Sequence, residues 1–231
     1  TVCVYDVYPH CKSVYGSSMP EIIGSIYQRL RADVLAGAFS TQPELSEHEL
    51  STRYGVSRTP IREALARLEH DDLIERVMRG YRIRSGTPTD VLEAYETRIP
   101  LEHLAASLAA KRHTELELAA LRLLHTHIGE SQSLGEAREL HTRFHETIWE
   151  AAHNSTLEST LRRITSQLRI YDRSTTIPDD RETILAEHDA ILLAIGQGDA
   201  VRAGELARAH LERTRESRLL AFATQSSGLA R

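Results

Sequence analysis

The sequence predicts a mainly α chain in two parts: three short helices with a hairpin, followed by an all-α bundle of six helices. Three observations carry this. Apolar residues recur at helical spacing through most of the chain from Pro20 onward. Strand-like runs joined by a glycine-containing turn fall between Leu73 and Arg84. Ser85-Gly86-Thr87-Pro88-Thr89 has the composition of a linker and separates the two patterns. With 231 residues and 41% apolar side chains, the chain can bury two modest cores.

Residues 1–19 lack sustained periodicity and read as a flexible N-terminal extension. Their Cys3 and Cys11, the two cysteines of the chain, cannot build a disulfide framework or a four-thiolate site for the rest of it. From Pro20, the residues Ile22, Ile23, Ile26, Leu30, Val34 and Leu35 form one helical stripe that stops at Gly37. Ser46 followed by Glu49 has capping-box spacing and opens a second helix, which ends before Gly55. Ser57 is placed to cap a third helix from Arg58 to about His70, with Pro60 tolerated in its first turn. Leu73–Val77 and Tyr81–Arg84 form the hairpin around Met78-Arg79-Gly80. This first unit spans 20–86. The helical unit spans 87–225, with amphipathic stretches near 89–112, 114–129, 135–152, 155–172, 179–196 and 199–224, and a tail over 226–231.

The net charge of −5 hides a division. Residues 1–85 hold 11 basic and 11 acidic side chains, so 17 basic and 22 acidic remain for the rest. Within 53–84 there are eight arginines against five acids, and no acid lies between Arg76 and Arg84. That is a local electrostatic footprint for a polyanion. On the third helix Ile61, Ala64, Leu65 and Leu68 must face the core, which turns Arg58 and Arg62 outward near the N-terminus. Recognition helices read major-groove base edges with such N-terminal residues, and arginine pairs bidentately with guanine. Ser57 and Thr59 add hydroxyls, while Arg79 and Gly80 place a cation and a close-approach residue at the hairpin tip.

These residues resemble a known family. Leu45-Ser46-Glu47, the run from Gly55-Val56-Ser57-Arg58-Thr59-Pro60-Ile61-Arg62-Glu63-Ala64-Leu65 to Leu68-Glu69, and Arg79-Gly80-Tyr81 look like the winged helix–turn–helix signature of GntR transcription regulators. The resemblance implies that Arg58, Thr59 and Arg62 contact double-stranded operator DNA, that Arg79 and Gly80 act from the wing, and that His48 reaches a phosphate. One departure is Thr41-Gln42-Pro43-Glu44, where the family usually carries Pro-Gly.

Nine of the twelve histidines follow residue 86. His141 and His145 are four apart and share a helix face; His188 and His210 stand on later helices. Converging, they would suit Zn²⁺ or Ni²⁺; apart, they are solvated or singly hydrogen-bonded side chains. The helical part resembles the FCD effector domain of the FadR-type branch through Arg98-x-x-Leu101-Glu102, Phe144-His145 with Asn154, Glu187-His188, and Gly198-Asp199 with His210. That likeness implies a divalent metal on His145, His188 and His210 and a small carboxylate effector, with Arg98 as its clamp. The family's fourth ligand is an aspartate, and here that position is His141.

The expected function is therefore a homodimeric, ligand-responsive repressor in the cytoplasm. No stretch approaches the roughly 20 apolar residues of a membrane span. The alternative is a metal-dependent helical-bundle hydrolase or oxidoreductase. Its motifs fail: Trp149 stands where a zinc-protease helix needs its second histidine, and only Glu150/His153 has the Glu-x-x-His spacing of a di-metal bundle.

Overall fold

A computed structural model describes residues 19–39, 44–171 and 181–226. The expected extension, apart from Met19, and the departure at Thr41-Gln42-Pro43 lie outside the described residues, as do 227–231. The chain divides after Ile83 into two compact units.

In the first unit, α1 (Met19–Ala36) packs along α3 (Arg58–His70), and α2 (Glu47–Tyr54) leans on α3. The α1 stripe buries Ile26, Leu30 and Val34 against Ile61, Ala64, Leu65 and Leu68, so both helices are amphipathic because they share one core. The Ser46 side chain accepts from the Glu49 N–H, which caps α2; Gly55 ends it in the left-handed conformation at φ 66°. Strands β1 (Ile74–Val77) and β2 (Gly80–Ile83) form an antiparallel pair with Ile74 opposite Ile83 and Val77 opposite Gly80. Leu45 bridges to Tyr81 with two backbone bonds of 2.6 and 3.0 Å, tying the entrance of α2 to the hairpin. Gly80 is required there: its φ is 136°, and a Cβ would stand 2.5 Å from the Leu45 carbonyl oxygen.

The second unit holds, among the described residues, six helices: α4 (Pro88–Arg112), α5 (Glu115–Glu130), α6 (Leu134–Ala151), α7 (Ser155–Tyr171), α8 (Arg181–Gly196) and α9 (Ala200–Ser226). The linker is shorter than its composition suggests. Thr87 accepts from Asp90 N–H while the Asp90 carboxylate accepts from Thr87 N–H, a capping box that starts α4 at Pro88. Helix α4 is the hub, packing on α6, α7, α8 and α9. Its alanines 105, 106, 109 and 110 allow close approach, and Gly204 of α9 lies where a Cβ would meet Ser107 Oγ at 2.4 Å. Phe144, Ile148 and Trp149 of α6 fill the same core.

Candidate functional site

In the first unit the structure presents one exposed edge of α3. Ser57, Arg58, Thr59 and Arg62 are all exposed, and His48 is exposed at the start of α2. Ser57 occupies the N-cap position in an extended conformation but makes no side-chain cap bond. Its capping role is therefore only positional, and the hydroxyl faces outward. The arginines are held together: Arg62 donates through Nε and Nη2 to the two oxygens of Glu47 at 3.0 and 3.1 Å, and Arg58 Nη2 reaches Glu47 Oε2 at 3.4 Å. These bonds from Arg62 hold the Glu47 carboxyl below its usual range. On the hairpin, Tyr81 is buried, Arg79 is exposed at the tip, and Arg82 pairs across the strands with Glu75 at 2.9 Å.

In the second unit His141 and His145 project from one face of α6, His188 comes from α8 and His210 from α9. Their candidate ligand atoms all lie within 4.8 Å of one another. His145, His188 and His210 are at most 2% exposed. The His145 and His210 rings stack at 5.2 Å, those of His141 and His188 at 4.7 Å, and Phe144 backs His188 at 4.2 Å. Burial, with the neighbouring imidazoles, pushes His141 and His188 well below the usual histidine range and His210 down to about 4. All three are thus neutral, which is the form that ligates a metal.

Both ring nitrogens of His188 and Nε2 of His141 are buried without a hydrogen-bond partner. Buried polar atoms are almost always paired, so orphaned nitrogens in a group of imidazoles this close together mark the place of a missing partner. Nε2 of His145 and of His210 face each other at 3.3 Å. Two nitrogens each about 2.0–2.1 Å from one tetrahedral zinc lie about 3.3–3.4 Å apart, so this pair is spaced for such an ion, with the other two donors within 4.8 Å.

Beside the imidazoles is a cavity lined by Arg98, Arg169 and Arg218 and by Thr142, Thr165 and Thr214, with no acidic residue in its wall among the described residues. Arg98 is buried and donates from Nε and Nη2 to Glu102 Oε1 at 2.9 and 2.7 Å. Glu102, 1% exposed, also accepts from Trp149 Nε1 at 2.8 Å. Burial pushes the Glu102 carboxyl up, but Arg98, His145 and Trp149 outweigh it and hold it at about 2. Hence the anionic partner that a buried Arg98 requires is supplied from within the helix.

Two family models match the chain: bacterial regulatory proteins of the gntR family over residues 22–81, and the FCD domain over residues 93–213. The HTH-type transcriptional regulator YdhC of Bacillus subtilis (strain 168) is 34% identical over 192 residues, covering 80% of this chain and 85% of that protein. The chain belongs to the GntR family. It is a DNA-binding transcription regulator with an FCD effector domain, and not an enzyme. The HTH-type transcriptional repressor GlaR of Escherichia coli (strain K12) is 28% identical over 199 residues, covering 80% of this chain and 90% of that one. In fold, E. coli McbR/YncC superposes with a TM-score of 0.74 at 19% identity, over 89% of this chain and 98% of its own.

Four residues of this GntR regulator's sites carry no signal in the spacing of the sequence alone: Glu47, Glu187, Arg213 and Arg218. Glu47 and Glu187 act on residues 15 and 23 positions away, and only the packing of helices brings them there. Glu102 is different, since it lies one helical turn from Arg98.

Proposed function

We propose that this regulator is a cytoplasmic homodimeric repressor whose grip on a palindromic operator is set by a small carboxylic acid bound beside a divalent metal. The convergence of four imidazoles, three of them fully buried, with orphaned ring nitrogens on His141 and His188 carries this reading. His141, His145, His188 and His210 would hold the ion. An all-nitrogen set of borderline softness favours Zn²⁺ or Ni²⁺ over Ca²⁺ or Mg²⁺, which prefer oxygen. When bound, the ion supplies a Lewis-acidic charge that an effector carboxylate can ligate. The chain's own part is to orient that acid: Arg98 and Arg218 offer cationic N–H groups from the cavity wall, and Thr142, Thr165 and Thr214 offer hydroxyls.

At the DNA end, Arg58, Thr59 and Arg62 would read base edges, Ser57 and His48 would meet phosphates, and Arg79 and Gly80 would approach from the wing. Two such units related by a two-fold axis span half-sites about one helical turn apart. The relative GlaR is named a repressor, which supports that sign of action here. Effector binding would act by favouring one of two dimer geometries, only one of which matches the half-site spacing.

The decisive experiment is elemental analysis of the purified protein beside a His188→Ala/His210→Ala double variant, coupled to a thermal-shift screen of small carboxylic acids. Stoichiometric Zn or Ni in the wild type, lost in the variant, is the expected result. Saturation at 100 times Kd adds about 2.7 kcal/mol to stability, an easily measured shift. Equal metal content in the two proteins would overturn the metal reading.

A further inference from the structure

Two of the four imidazoles have a carboxylate behind them, and each carboxylate is itself locked by an arginine. His210 Nδ1 lies 2.6 Å from Glu187 Oε2, and Arg213 closes on the same carboxylate with Nε to Oε1 at 2.5 Å and Nη2 to Oε2 at 2.6 Å. His145 Nδ1 lies 3.4 Å from Glu102 Oε2, a looser approach without hydrogen-bond alignment, and Arg98 and Trp149 fix that carboxylate. Each Arg–Glu–His chain ends with the Nε2 of its histidine turned toward the other's, 3.3 Å away. The two histidines come from different helices, α6 and α9, and their supporting glutamates from two more, α4 and α8.

The pairing has a chemical consequence. A carboxylate flanked by arginine is an acceptor only, so His210, hydrogen-bonded to Glu187, must carry its proton on Nδ1 and present the Nε2 lone pair inward. A carboxylate behind a ligating imidazole also makes that ring a stronger donor. The need for this is greater here than in an aspartate-containing site, because four imidazole ligands bring no negative charge to a divalent ion. Two glutamates one ring away bring it instead.

We propose that Glu187, locked by Arg213, is the positioning residue of the histidine site, fixing His210 as an Nε2 ligand, and that Glu102, locked by Arg98 and Trp149, adds beside His145 the negative charge the ligand set lacks. This rests on the four-histidine metal reading above. It also ranks the two, since the closer and better aligned Glu187 contact has the larger effect. It gives Arg98 a role in building the site that is separate from touching an effector.

The test uses the full-length protein stripped of metal and titrated with Zn²⁺ in competition with a chromophoric chelator. Glu187→Gln keeps the shape of the side chain and removes its charge; its affinity is expected to fall about 10–100-fold, the usual size of losing such a partner. Arg213→Met leaves Glu187 in place but unlocked and is expected to lose affinity in the same direction by a smaller factor. Glu205→Gln, which removes the carboxylate beside His103 at 3.2 Å on an exposed face, serves as control and leaves affinity unchanged. A readout that a merely structural role would not move comes from the Co²⁺-loaded protein. Its shifted NMR spectrum should contain imidazole N–H resonances that exchange slowly with water, and one of them should be lost or made fast by Glu187→Gln. If the wild type takes up no Zn²⁺, the metal reading itself is wrong and this proposal goes with it. If it binds Zn²⁺ and both Glu187→Gln and Arg213→Met bind within twofold of it, the metal reading stands and the positioning role is refuted. Should Glu187→Gln fail to fold, Arg213→Met alone decides by the same criterion.

Discussion

Arg98→Ala asks whether the charge of Arg98 is committed inside the protein or kept for a ligand. The Arg98 and Glu102 side chains are 7% and 1% exposed, and two short bonds join them to a single carboxylate oxygen. Removing the cation leaves a buried carboxylate supported by Trp149 at 2.8 Å and approached by His145 at 3.4 Å. Breaking a buried pair by taking one partner costs about 3–5 kcal/mol. The surviving Trp149 bond puts the loss near the lower end, about 3 kcal/mol. For a domain of roughly 150 residues each kcal/mol shifts Tm by about 2–4 °C, so the variant should melt about 6–12 °C lower. Thermal unfolding followed by circular dichroism measures this, with urea titration to check that the m-value is unchanged. Arg98→Met/Glu102→Leu, which replaces the pair with apolar side chains, should recover most of the loss, because such replacements are often neutral or better. A single variant that melts within about 2 °C of the wild type would refute the reasoning. It would mean that Glu102 does not depend on Arg98 and that the guanidinium serves the effector alone.

Three further outcomes are expected. Glu47→Gln frees Arg62 and Arg58, so the ratio of operator to non-specific affinity should shrink in a fluorescence-anisotropy titration while Tm stays within about 2 °C, exposed pairs being worth little; an unchanged ratio would mean that Glu47 does not orient the arginines. Gly80→Ala forces a Cβ against the Leu45 carbonyl and strains a backbone at φ 136°, so it should destabilise the first unit by about 1–3 kcal/mol and weaken DNA binding, as denaturant titration and gel shift will show. Trp149, the single tryptophan of the chain, is 1% exposed and lines the cavity; binding of a carboxylate should change its emission, and an effector that stabilises the protein without altering it would place the acid elsewhere.

What the sequence makes legible follows from the range of each interaction. The recognition helix is readable because its core positions, Ile61, Ala64, Leu65 and Leu68, lie within two turns and fix by elimination where Arg58 and Arg62 must point. His141 and His145 are readable as a pair for the same reason. That His188 and His210 join them is a property of how α8 and α9 cross α6, and periodicity is silent on it. Ser57 shows the limit in a subtler way: its residue type predicts a capping bond and its position is right, yet the hydroxyl is left facing outward. The partner of Arg98 lies one turn along the same helix, so the Arg98/Glu102 spacing is a local signal that a clamp for an external acid has an internal competitor.

The two scales of charge give opposite accounts of the effector unit, and the structure reconciles them. By sequence this unit holds the whole acidic excess, 17 basic against 22 acidic residues after position 85, which should repel a carboxylate. The acids nearest the histidines are already spent: Glu102 is closed by Arg98 and Trp149, and Glu187 by Arg213 and His210. Glu139 is likewise joined to Arg169 at 3.1 Å. None of these carboxylates lines the cavity, whereas Arg98, Arg169 and Arg218 do. At the cavity wall, nearby charges outweigh distant screened ones. A carboxylate reaching the cavity therefore meets guanidinium and hydroxyl donors, and the outward-facing acids act only on its approach. Raising the ionic strength should consequently speed association of an anionic effector by screening the acidic surface, with a smaller effect on its dissociation. Stopped-flow measurements of Trp149 emission at two salt concentrations separate the rates, and an association rate that falls with salt would show that the approach itself is positively steered.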